Sequence, residues 1–551
     1  MRASYLFWLC GGVIVACLLF GGGARSGYLS DTLIQLIAIP LFLASLLRLL
    51  DLPASKHTRW AMAFCLAIAL VPILQLVPLS PRVWTALPNR ETVAATYDLL
   101  GRELPWMPLS VSPRATWLSG LSLLPPLAIF LGMLCLDYRE RRLLSLAMLA
   151  VGVVSVFVAL IQLSQGSSSP LRFFYFGQDA EAAGFFANRN HFAALLYAFI
   201  LFAAAWAVNA ANQAASPTER GRDGKSFRTP SIVRLVASFT VIVIFVGAEI
   251  MARSRAGLGL TIVALFGAMA IALSSQRSTS GITASRLLLG AAALATVFAV
   301  QFALYRVLER FAVDPLTDAR FTFARNTIQA AKAYMPFGSG MGTFVPVYAM
   351  FEKPEDLLLD AYANRAHNDI LEVWLEAGAV GLALMGLFAI WFVMRSVKVW
   401  RHRPVGAGEI DYSLARAATI VVGLLIAHSL VDYPLRTGAM MAIAAFACAL
   451  LIEPLAGSES ETLVEPEEGW NSLGRIREAR EASPQPTAAS SPWPPPQALN
   501  QERGAPVART PSGARWGEDI EWPEEWRKNK ANRQSSDATP PSPGSRTPPR
   551  R

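Results

Sequence analysis

The feature that most constrains this chain is the recurrence of apolar segments long enough to cross a lipid bilayer. They lie at roughly 5–22, 31–50, 60–79, 115–136, 143–165, 191–209, 232–251, 257–273, 287–305, 369–394, 414–430 and 437–452. Hydrophobic residues make up 53% of the 551 residues and charged residues only 16%, which is unusual for a soluble domain. The pattern predicts an all-α membrane protein with about 12 transmembrane helices. The first segment fits an uncleaved signal anchor better than a cleaved signal peptide.

Basic residues in the connecting loops predict how the helices are oriented. If the amino terminus is cytoplasmic, the inner loops contain 15 Lys and Arg in 69 residues, and the short outer loops contain 10 in 79. An excess of basic residues on the inner side agrees with the positive-inside rule. Residues 1–452 are therefore predicted to form one polytopic membrane domain. An even number of spans returns the carboxyl terminus to the cytoplasm.

Two regions outside the spans differ in composition. Residues 306–367 form one large outer loop between predicted helices 9 and 10, and the spacing of residues 320–334 in it predicts a helix that folds over the membrane face. Residues 453–551 are rich in proline, and 16 of the 36 prolines of the chain lie from Pro454 onward. This composition predicts a disordered cytoplasmic tail.

Ionisable and strongly polar residues gather at the predicted outer ends of the helices. They are Arg189, His191, Glu249, Arg253, Arg255, His367, Asn368, Glu372, Glu376, His428, Asp432 and Arg436, and the outer loop adds Arg320 and Arg325. Such groups are costly near a membrane and often mark functional sites. A transporter is expected to place them at the midplane on broken helices. A row at one interface indicates a site where a lipid head group meets a second substrate.

These polar residues have more than one interpretation. The forked donors of arginine suit phosphate oxygens, but each arginine taken alone also fits an interface anchor whose charge reaches back to water. His191 and His428 each fit hydrogen-bonded structural residues. Asp432, which precedes Tyr433 and Pro434, fits a turn former as well as a functional acid.

His367 is distinguished by the residues that follow it. In a helix that begins near His367, Glu372 and Glu376 stack four residues apart on one face. Ala377 and Gly381 form a pair of small residues that lets another helix approach closely. We expect this docking to fix His367 over the outer surface, where a neutral imidazole can take a proton from a hydroxyl. The alternative is a histidine that only caps the loop through a hydrogen bond.

Two further patterns indicate no cofactor site. The segment FGSGMGTF, residues 337–344, lacks the lysine and the strand-to-helix context of a phosphate-binding loop, and it fits a turn after Pro336 better. The five cysteines all lie in predicted spans without paired spacing. They predict neither a disulfide framework nor a zinc site.

The segment HNDILEVWLEAGAVG, which starts at His367, resembles a known signature. It contains a histidine, a small polar residue, nine residues, a glycine, two residues and a second glycine. This spacing is similar to that of the bacterial O-antigen ligase and O-antigen polymerase superfamily, which also includes protein O-oligosaccharyltransferases. The segments GFFANRNHFAALL and SRAG, and the stretch from Arg320 through MPFGSGMGTF, add to the likeness. The resemblance covers roughly residues 120–452.

The resemblance implies a C-type membrane glycosyltransferase of the bacterial inner (cytoplasmic) membrane. Such enzymes pass a glycan from undecaprenyl diphosphate to an acceptor hydroxyl at the periplasmic face, without a nucleotide sugar, a metal or another cofactor. The implied partners are the lipid-linked glycan, membrane lipids, and a lipid A-core or growing polysaccharide acceptor, with no nucleic acid. Carried over, the family roles make Arg189, Arg255 and Arg320 the diphosphate ligands and His367 the catalytic residue. The supporting residues are Asn368, Glu372, His191, Arg253, Arg325 and Arg436.

Two other classes of function are weighed against this one. A transporter or flippase of lipid-linked glycan would also have many helices and arginines, but it should carry charges deep within its spans. A scaffolding membrane protein would explain the long tail but not the grouping of His367 with outer-end arginines. Within the enzyme class, the sequence does not separate a ligase from a polymerase or from a protein O-glycosylation enzyme.

Overall fold

The computed structural model describes residues 4–23, 29–51, 55–174, 181–215, 229–275, 319–357, 362–402 and 408–455. This part of the chain is helical apart from short turns and one two-stranded antiparallel pair, in which β1 (Pro78–Leu79) faces β2 (Met107–Pro108). The all-α membrane class is thereby confirmed. The predicted span 287–305 and nearly all of the predicted tail lie outside the described residues.

The α-helices of the described residues follow in chain order. They are α1 (Tyr5–Phe20), α2 (Leu29–Asp51), α3 (Lys56–Gln75), α4 (Pro81–Trp84), α5 (Glu91–Leu99), α6 (Pro113–Ser122), α7 (Leu124–Leu134), α8 (Tyr138–Gln165), α9 (Arg189–Ala215), α10 (Thr229–Ala252), α11 (Arg255–Ser274), α12 (Ala319–Ala333), α13 (Phe344–Phe351), α14 (Asp369–Arg401), α15 (Glu409–His428) and α16 (Gly438–Leu450). Short 3-10 turns lie at Gly166–Ser168, Pro354–Asp356 and Pro434–Arg436.

The lengths and composition of these helices agree with a multi-pass membrane protein. Within the described ranges, nine helical segments are long and apolar enough to cross a bilayer, and α6 and α7 together form one of them. Helices α1 and α16 are apolar but shorter. The total of about 12 spans includes 287–305, so that total stays a prediction.

Local chemistry explains where the observed helices depart from the predicted spans. Helix α8 begins at Tyr138, five residues before the predicted start, because Asp137 and Glu140 form a reciprocal capping box. The predicted span 115–136 is divided at Leu123 into α6 and α7. Pro125 and Pro126 follow at once, and proline has no N–H with which to continue the preceding turns. Helix capping and proline therefore determine the first and last residues of these helices more precisely than hydropathy does.

Helix α9 is the central helix of the membrane domain. In its apolar stretch 94% of the residues are buried, and it packs on α10, α11 and α15. A helix that is apolar on every face is expected in such a position. Its amino terminus carries Arg189, Asn190 and His191. Burial of the helix therefore fixes these three residues relative to their neighbours.

A second, smaller apolar core is formed by the described part of residues 306–367, the segment predicted to be the outer loop. The helix predicted over 320–334 is present as α12, and α13 packs beside it. Their buried side chains form a cluster that includes Leu375 on α14. The cluster also contains Phe323, Ala330, Ala331, Tyr334, Phe344, Val347, Tyr348, Ala363 and Ala366. This core anchors the loop to the start of α14, which is where His367 lies.

Candidate active site around His367

The backbone at His367 is held from both sides. Its φ is 51°, a left-handed conformation that is uncommon for a residue other than glycine. The next residue, Asn368, is the N-cap of α14, and its side chain accepts hydrogen bonds from the N–H groups of Ile370 and Leu371. Asn368 Nδ2 also donates to the carbonyl oxygen of Leu430 at 2.9 Å. Asn368 thereby joins the His367 loop to the turn after α15.

The imidazole ring of His367 is packed by residues from distant parts of the chain. Its Nδ1 lies 3.1 Å from Oδ1 of Asp432. Phe323 of α12 stacks on the ring, with centroids 5.8 Å apart and an interplanar angle of 23°. Tyr433 approaches edge-on at 4.9 Å. The side chain remains 20% exposed, so it is not fully enclosed by these neighbours.

Asp432 sets the hydrogen-bonding state of His367. Its carboxylate is fully buried, and it also accepts hydrogen bonds from Asn190 Nδ2 and from the N–H of Tyr433. Burial alone would raise the pKa of Asp432, but the hydrogen bond with His367 and the nearby His191 hold this pKa well below its usual range. An ionised carboxylate only accepts hydrogen bonds, so Nδ1 of His367 carries the proton. Nε2 of a neutral His367 is then the free proton acceptor.

Tyr433 separates two histidines. Its ring contacts His367 and His191 edge-on, each with centroids 4.9 Å apart. Burial and the charge of Asp432 raise the pKa of Tyr433 to about 12, so the phenol stays neutral. His191 is fully buried. This contact connects the amino terminus of α9 to the His367 site through aromatic packing.

The three predicted diphosphate ligands lie at the starts of three helices. Arg320, at the start of α12, has an Nη2 atom 4.0 Å from Oδ2 of Asp432. Arg189, the first residue of α9, forms an ion pair with Glu181. Arg255 is the first residue of α11 and is exposed. Each arginine thus lies where free N–H groups of a helix also favour an anion.

Helices α9 and α11 bring their starts close together. A Cβ atom on Gly257 would lie 2.4 Å from Cβ of Ala193, so only a glycine allows this approach. Gly257 is two residues from Arg255, and Ala193 is four residues from Arg189. The structure therefore brings the starts of α9 and α11 together, and it brings Arg320 to Asp432.

The predicted supporting residues divide into different surroundings. Arg325 forms an ion pair with Asp356 at 2.8 Å and is 53% exposed. Arg253 is exposed and has a φ of 54°, because it forms the turn between α10 and α11. The ion pair of Arg325 and the turn at Arg253 do not connect these arginines to His367. Their predicted supporting roles remain predictions.

Glu372 and Arg436 belong to a buried ion network on the other side of the His367 loop. Arg365 donates to Glu372 at 2.7 Å, and Glu372 also accepts from the N–H of Ala366 at 3.1 Å. Arg436 lies 2.9 Å from Glu376, 3.5 Å from Glu372 and 3.4 Å from Asp369. Buried charges are tolerated when paired in this way. The network fixes the segment that leads into His367.

The close approach predicted for Ala377 and Gly381 is made by a different glycine and a different partner. Gly378 has a φ of 55° and interrupts α14. A Cβ atom there would lie 2.2 Å from the carbonyl oxygen of Pro336. The partner is therefore the backbone of a loop instead of another helix. A non-glycine residue is excluded by both conformation and space.

The glycine-rich segment that follows Pro336 is a turn, as predicted. It forms hydrogen bonds with backbone groups of α14 next to the interruption at Gly378. Ser339 N–H donates to the carbonyl of Leu375 at 2.9 Å, and Gly340 N–H donates to that of Glu376 at 2.9 Å. In return, the N–H of Ala379 donates to the carbonyl of Pro336 at 2.8 Å. These bonds satisfy groups that the kink removes from the helix. The segment predicted to be the outer loop is thereby attached to α14 after His367.

A comparison with known protein families matches a region of the chain that includes His367. Residues 239–386 match the family model described as O-antigen ligase. This part of the chain is similar to the O-antigen ligase and polymerase superfamily. This match confirms the resemblance predicted from the signature at His367, and it supports an enzyme of the ligase or polymerase class. A comparison with curated proteins gives no match.

The matched region includes His367, Arg255 and Arg320 but ends before Asp432. The sequence assigns no site role to Asn190 or Tyr433, and it leaves the role of Asp432 open. Asp432 fits a turn former as well as a functional acid because Tyr433 and Pro434 follow it, and its contact with His367 joins residues 65 positions apart. The segments NRNH and VDYP each contain part of the signal, since both place polar residues at the end of a helix. Among the described residues, no group of three or more His, Cys, Asp or Glu is arranged to hold a metal ion.

Proposed function

We propose that the protein transfers a glycan from an undecaprenyl diphosphate carrier to an acceptor hydroxyl at the periplasmic face of the inner membrane. The observation that carries the proposal is the His367–Asp432 pair, in which Nδ1 faces the carboxylate and Nε2 is the other ring nitrogen of a side chain that is 20% exposed. The O-antigen ligase match over 239–386 supports the reaction class. The periplasmic orientation rests on the distribution of Lys and Arg in the loops.

In this reaction His367 acts as the general base. Nε2 takes the proton of the acceptor hydroxyl while the hydroxyl oxygen forms a bond to the anomeric carbon of the donor sugar. The bond between that carbon and the diphosphate oxygen breaks, and the diphosphate leaves with the electron pair. The ionised Asp432 stabilises the imidazolium that forms. No covalent intermediate with the enzyme is needed.

Arg189, Arg255 and Arg320 are proposed to hold the diphosphate. The negative charge on the leaving group increases as the glycosidic bond breaks, and fixed guanidinium groups stabilise that charge in the transition state. The helix starts that carry these arginines add free N–H donors. Arg320 also lies near Asp432, which connects the leaving-group site to the base.

The test is to separate substrate binding from turnover in a His367→Ala variant. The variant should insert, bind undecaprenyl diphosphate as the wild type does, and lose transfer by about 10²-fold or more. Both quantities are measured with purified, detergent-solubilised protein. If His367 only holds the loop, lipid binding and turnover should fall together. Near-normal turnover would also contradict the proposed role.

A further inference from the structure

A buried glutamate that the proposed mechanism does not use lies in the last turn of α10. Glu249 is 1% exposed, and the helix ends shortly after it, at Ala252. Among the described residues, neither carboxyl oxygen of Glu249 has a hydrogen-bond partner. The nearest basic residues along the chain, Arg253 and Arg255, are both exposed. A carboxylate buried without a partner is costly, so Glu249 is a candidate ligand-binding residue.

The carboxyl group of Glu249 reaches into the contact between α9 and α11. A Cβ atom on Gly257 would lie 2.4 Å from Oε1 of Glu249 and 2.4 Å from Cβ of Ala193. Further along α11, a Cβ atom on Gly267 would lie 3.4 Å from Cδ2 of Leu201. These two contacts define a seam between α9 and α11. The carboxyl group of Glu249 lies at the first of them, in the space that the glycine leaves.

Two other oxygen-bearing side chains lie along this seam. Tyr197 is one helical turn after Ala193, and Thr261 is one turn after Gly257, so they belong to the facing stripes of α9 and α11. Both are 0% exposed. The Tyr197 phenol is close enough to Glu249 for an electrostatic interaction. Within the described ranges, Oγ1 of Thr261 has no hydrogen-bond partner. We call Glu249, Tyr197 and Thr261 the Glu249 site.

The phenol of Tyr197 is held in place by a second contact. Its oxygen lies 3.2 Å from Nδ1 of His428, the last residue of α15. When the hydroxyl donates its proton to this nitrogen, the phenol oxygen keeps its capacity to accept. Tyr197 can therefore offer an oxygen to a ligand without losing its proton. Three helices, α9, α10 and α11, thus contribute one oxygen-bearing group each.

The donor atoms suit a small monovalent cation. Hard cations take oxygen ligands, and the last turn of a helix favours positive charge. No hydrogen bond joins Thr261 to Glu249, so a proton on the carboxyl group would leave Oγ1 of Thr261 without a partner. A cation between the two side chains contacts both. The single carboxylate of the site balances one positive charge, which argues against a divalent ion.

We propose that the Glu249 site binds a small monovalent cation, which joins α10 to the seam between α9 and α11. Sodium and potassium share the required chemistry, and separate titrations distinguish them. The site contains none of the residues assigned to glycan transfer. The inference is therefore independent of the proposed function, and either can fail without the other.

The first measurement is the unfolding temperature of the full-length protein in detergent, at fixed pH and ionic strength. Choline chloride is replaced stepwise by sodium chloride or, separately, by potassium chloride. A ligand that binds only the folded state stabilises it in proportion to the logarithm of its concentration above the Kd. We expect the unfolding temperature to rise with at least one of the two cations. Equal unfolding temperatures in all three salts would overturn the proposal.

The second measurement is direct binding of radioactive sodium, or of radioactive rubidium as a probe for the potassium site. The wild-type protein should show saturable binding of the cation that raises its unfolding temperature. A stability that depends on pH but on neither cation, and that loses this dependence in Glu249→Gln, would show that the carboxyl group only carries a proton. That result would overturn the cation site.

Substitution of Glu249 locates the site. Glu249→Gln keeps the size of the side chain but removes its charge, so it should abolish both the saturable binding and the shift in unfolding temperature. Glu91→Gln is the matched control, because Glu91 is exposed on α5 and should keep the wild-type response. Wild-type cation binding by Glu249→Gln, or equal loss in Glu91→Gln, would contradict the assignment.

Thr261→Val tests the site without changing its charge. It replaces a hydroxyl by a methyl group of similar size, and loss of one contact to a charged group should raise the Kd for the cation by about tenfold or more. Thr240→Val is the control, since Thr240 is exposed on α10 and its Oγ1 donates to the carbonyl of Val236. An unchanged Kd in Thr261→Val, or an equal change in Thr240→Val, would overturn the proposed ligand set even if Glu249→Gln does not fold.

Discussion

Two clusters of charged residues flank the start of α14, and they differ in how far their side chains are buried and paired. The His367 cluster, formed by His367, Asp432, Asn190, Tyr433 and Arg320, combines a buried carboxylate with an imidazole that is 20% exposed. The Arg436 network, formed by Arg365, Asp369, Glu372, Glu376 and Arg436, is mostly buried, and its carboxylates are paired with arginines. Similar residue types thus serve different purposes a few residues apart. The partly exposed imidazole of His367 indicates a chemical role, whereas the buried ion pairs of the Arg436 network indicate a structural role.

This comparison is most sharply tested at Asp432. Asp432→Asn keeps the size of the side chain but removes the charge that fixes the proton on Nδ1 of His367. We expect transfer to fall by about 10³-fold or more, because an imidazole with the wrong tautomer cannot act as the base. Transfer rates and lipid binding are measured together. Wild-type transfer by this variant would remove Asp432 from the mechanism.

The low pKa of Asp432 adds a check on pH. A carboxyl whose pKa is lower in the folded state stabilises the fold above its unfolded pKa of about 3.9, and that stability is lost only as pH falls through the folded value. Asp432 should therefore remain ionised from pH 8 down to about pH 5. The difference in unfolding temperature between the wild type and the Asp432→Asn variant should not shrink as pH falls across this range. A difference that shrinks well above pH 4 would contradict the low pKa.

A substitution in the Arg436 network should lower the stability of the protein. Arg436→Met leaves buried carboxylates without their cation, and breaking a buried ion pair typically costs about 3 kcal/mol or more. We expect a lower unfolding temperature and less folded protein in detergent. Arg325→Met is the control, since Arg325 is in an exposed pair with Asp356 and should change stability much less. Equal effects in both variants would show that the buried network has no special structural role.

The arginines of the proposed diphosphate site should respond in a different way. Arg320→Lys and Arg255→Lys keep the charge but lose the forked donors, so we expect transfer to fall by about tenfold or more in each, without loss of stability. An interface anchor would tolerate lysine. The measurement is the rate of glycan transfer together with the unfolding temperature. Wild-type rates in both variants would contradict diphosphate binding.

The smallest expected effect concerns the cap that joins the two clusters. Asn368→Ala removes the N-cap of α14 and should lower stability by about 1 kcal/mol. Asn368→Ser should restore the cap but not the hydrogen bond from Nδ2 to Leu430. If transfer falls more than stability in Asn368→Ser, the bond to Leu430 positions His367. If both variants lose the same stability and the same transfer activity, the bond to Leu430 contributes and the cap does not.

Much of the membrane domain could be predicted from the sequence, because burial in a bilayer is decided by composition over about 20 residues. The helix at 320–334 and the turn after Pro336 are also local features, because residue spacing and proline predict them without any distant contact. The close packing at Gly378 was not, because Ala377 and Gly381 offered the more familiar spacing. Only the conformation of Gly378 and its contact with Pro336 show which glycine is required.

The sequence by itself determined that ionisable residues lie at helix ends and that His367 heads a signature shared with O-antigen ligases. Both are properties of neighbouring residues. The tertiary structure alone decided which carboxylate pairs with which cation: Asp432 with His367, and Glu372 and Glu376 with Arg436. Such pairs join residues about 60 positions apart, and hydropathy and spacing do not specify how distant helices pack. Pairing across the fold therefore divides one row of charged residues into a candidate active site and a structural network.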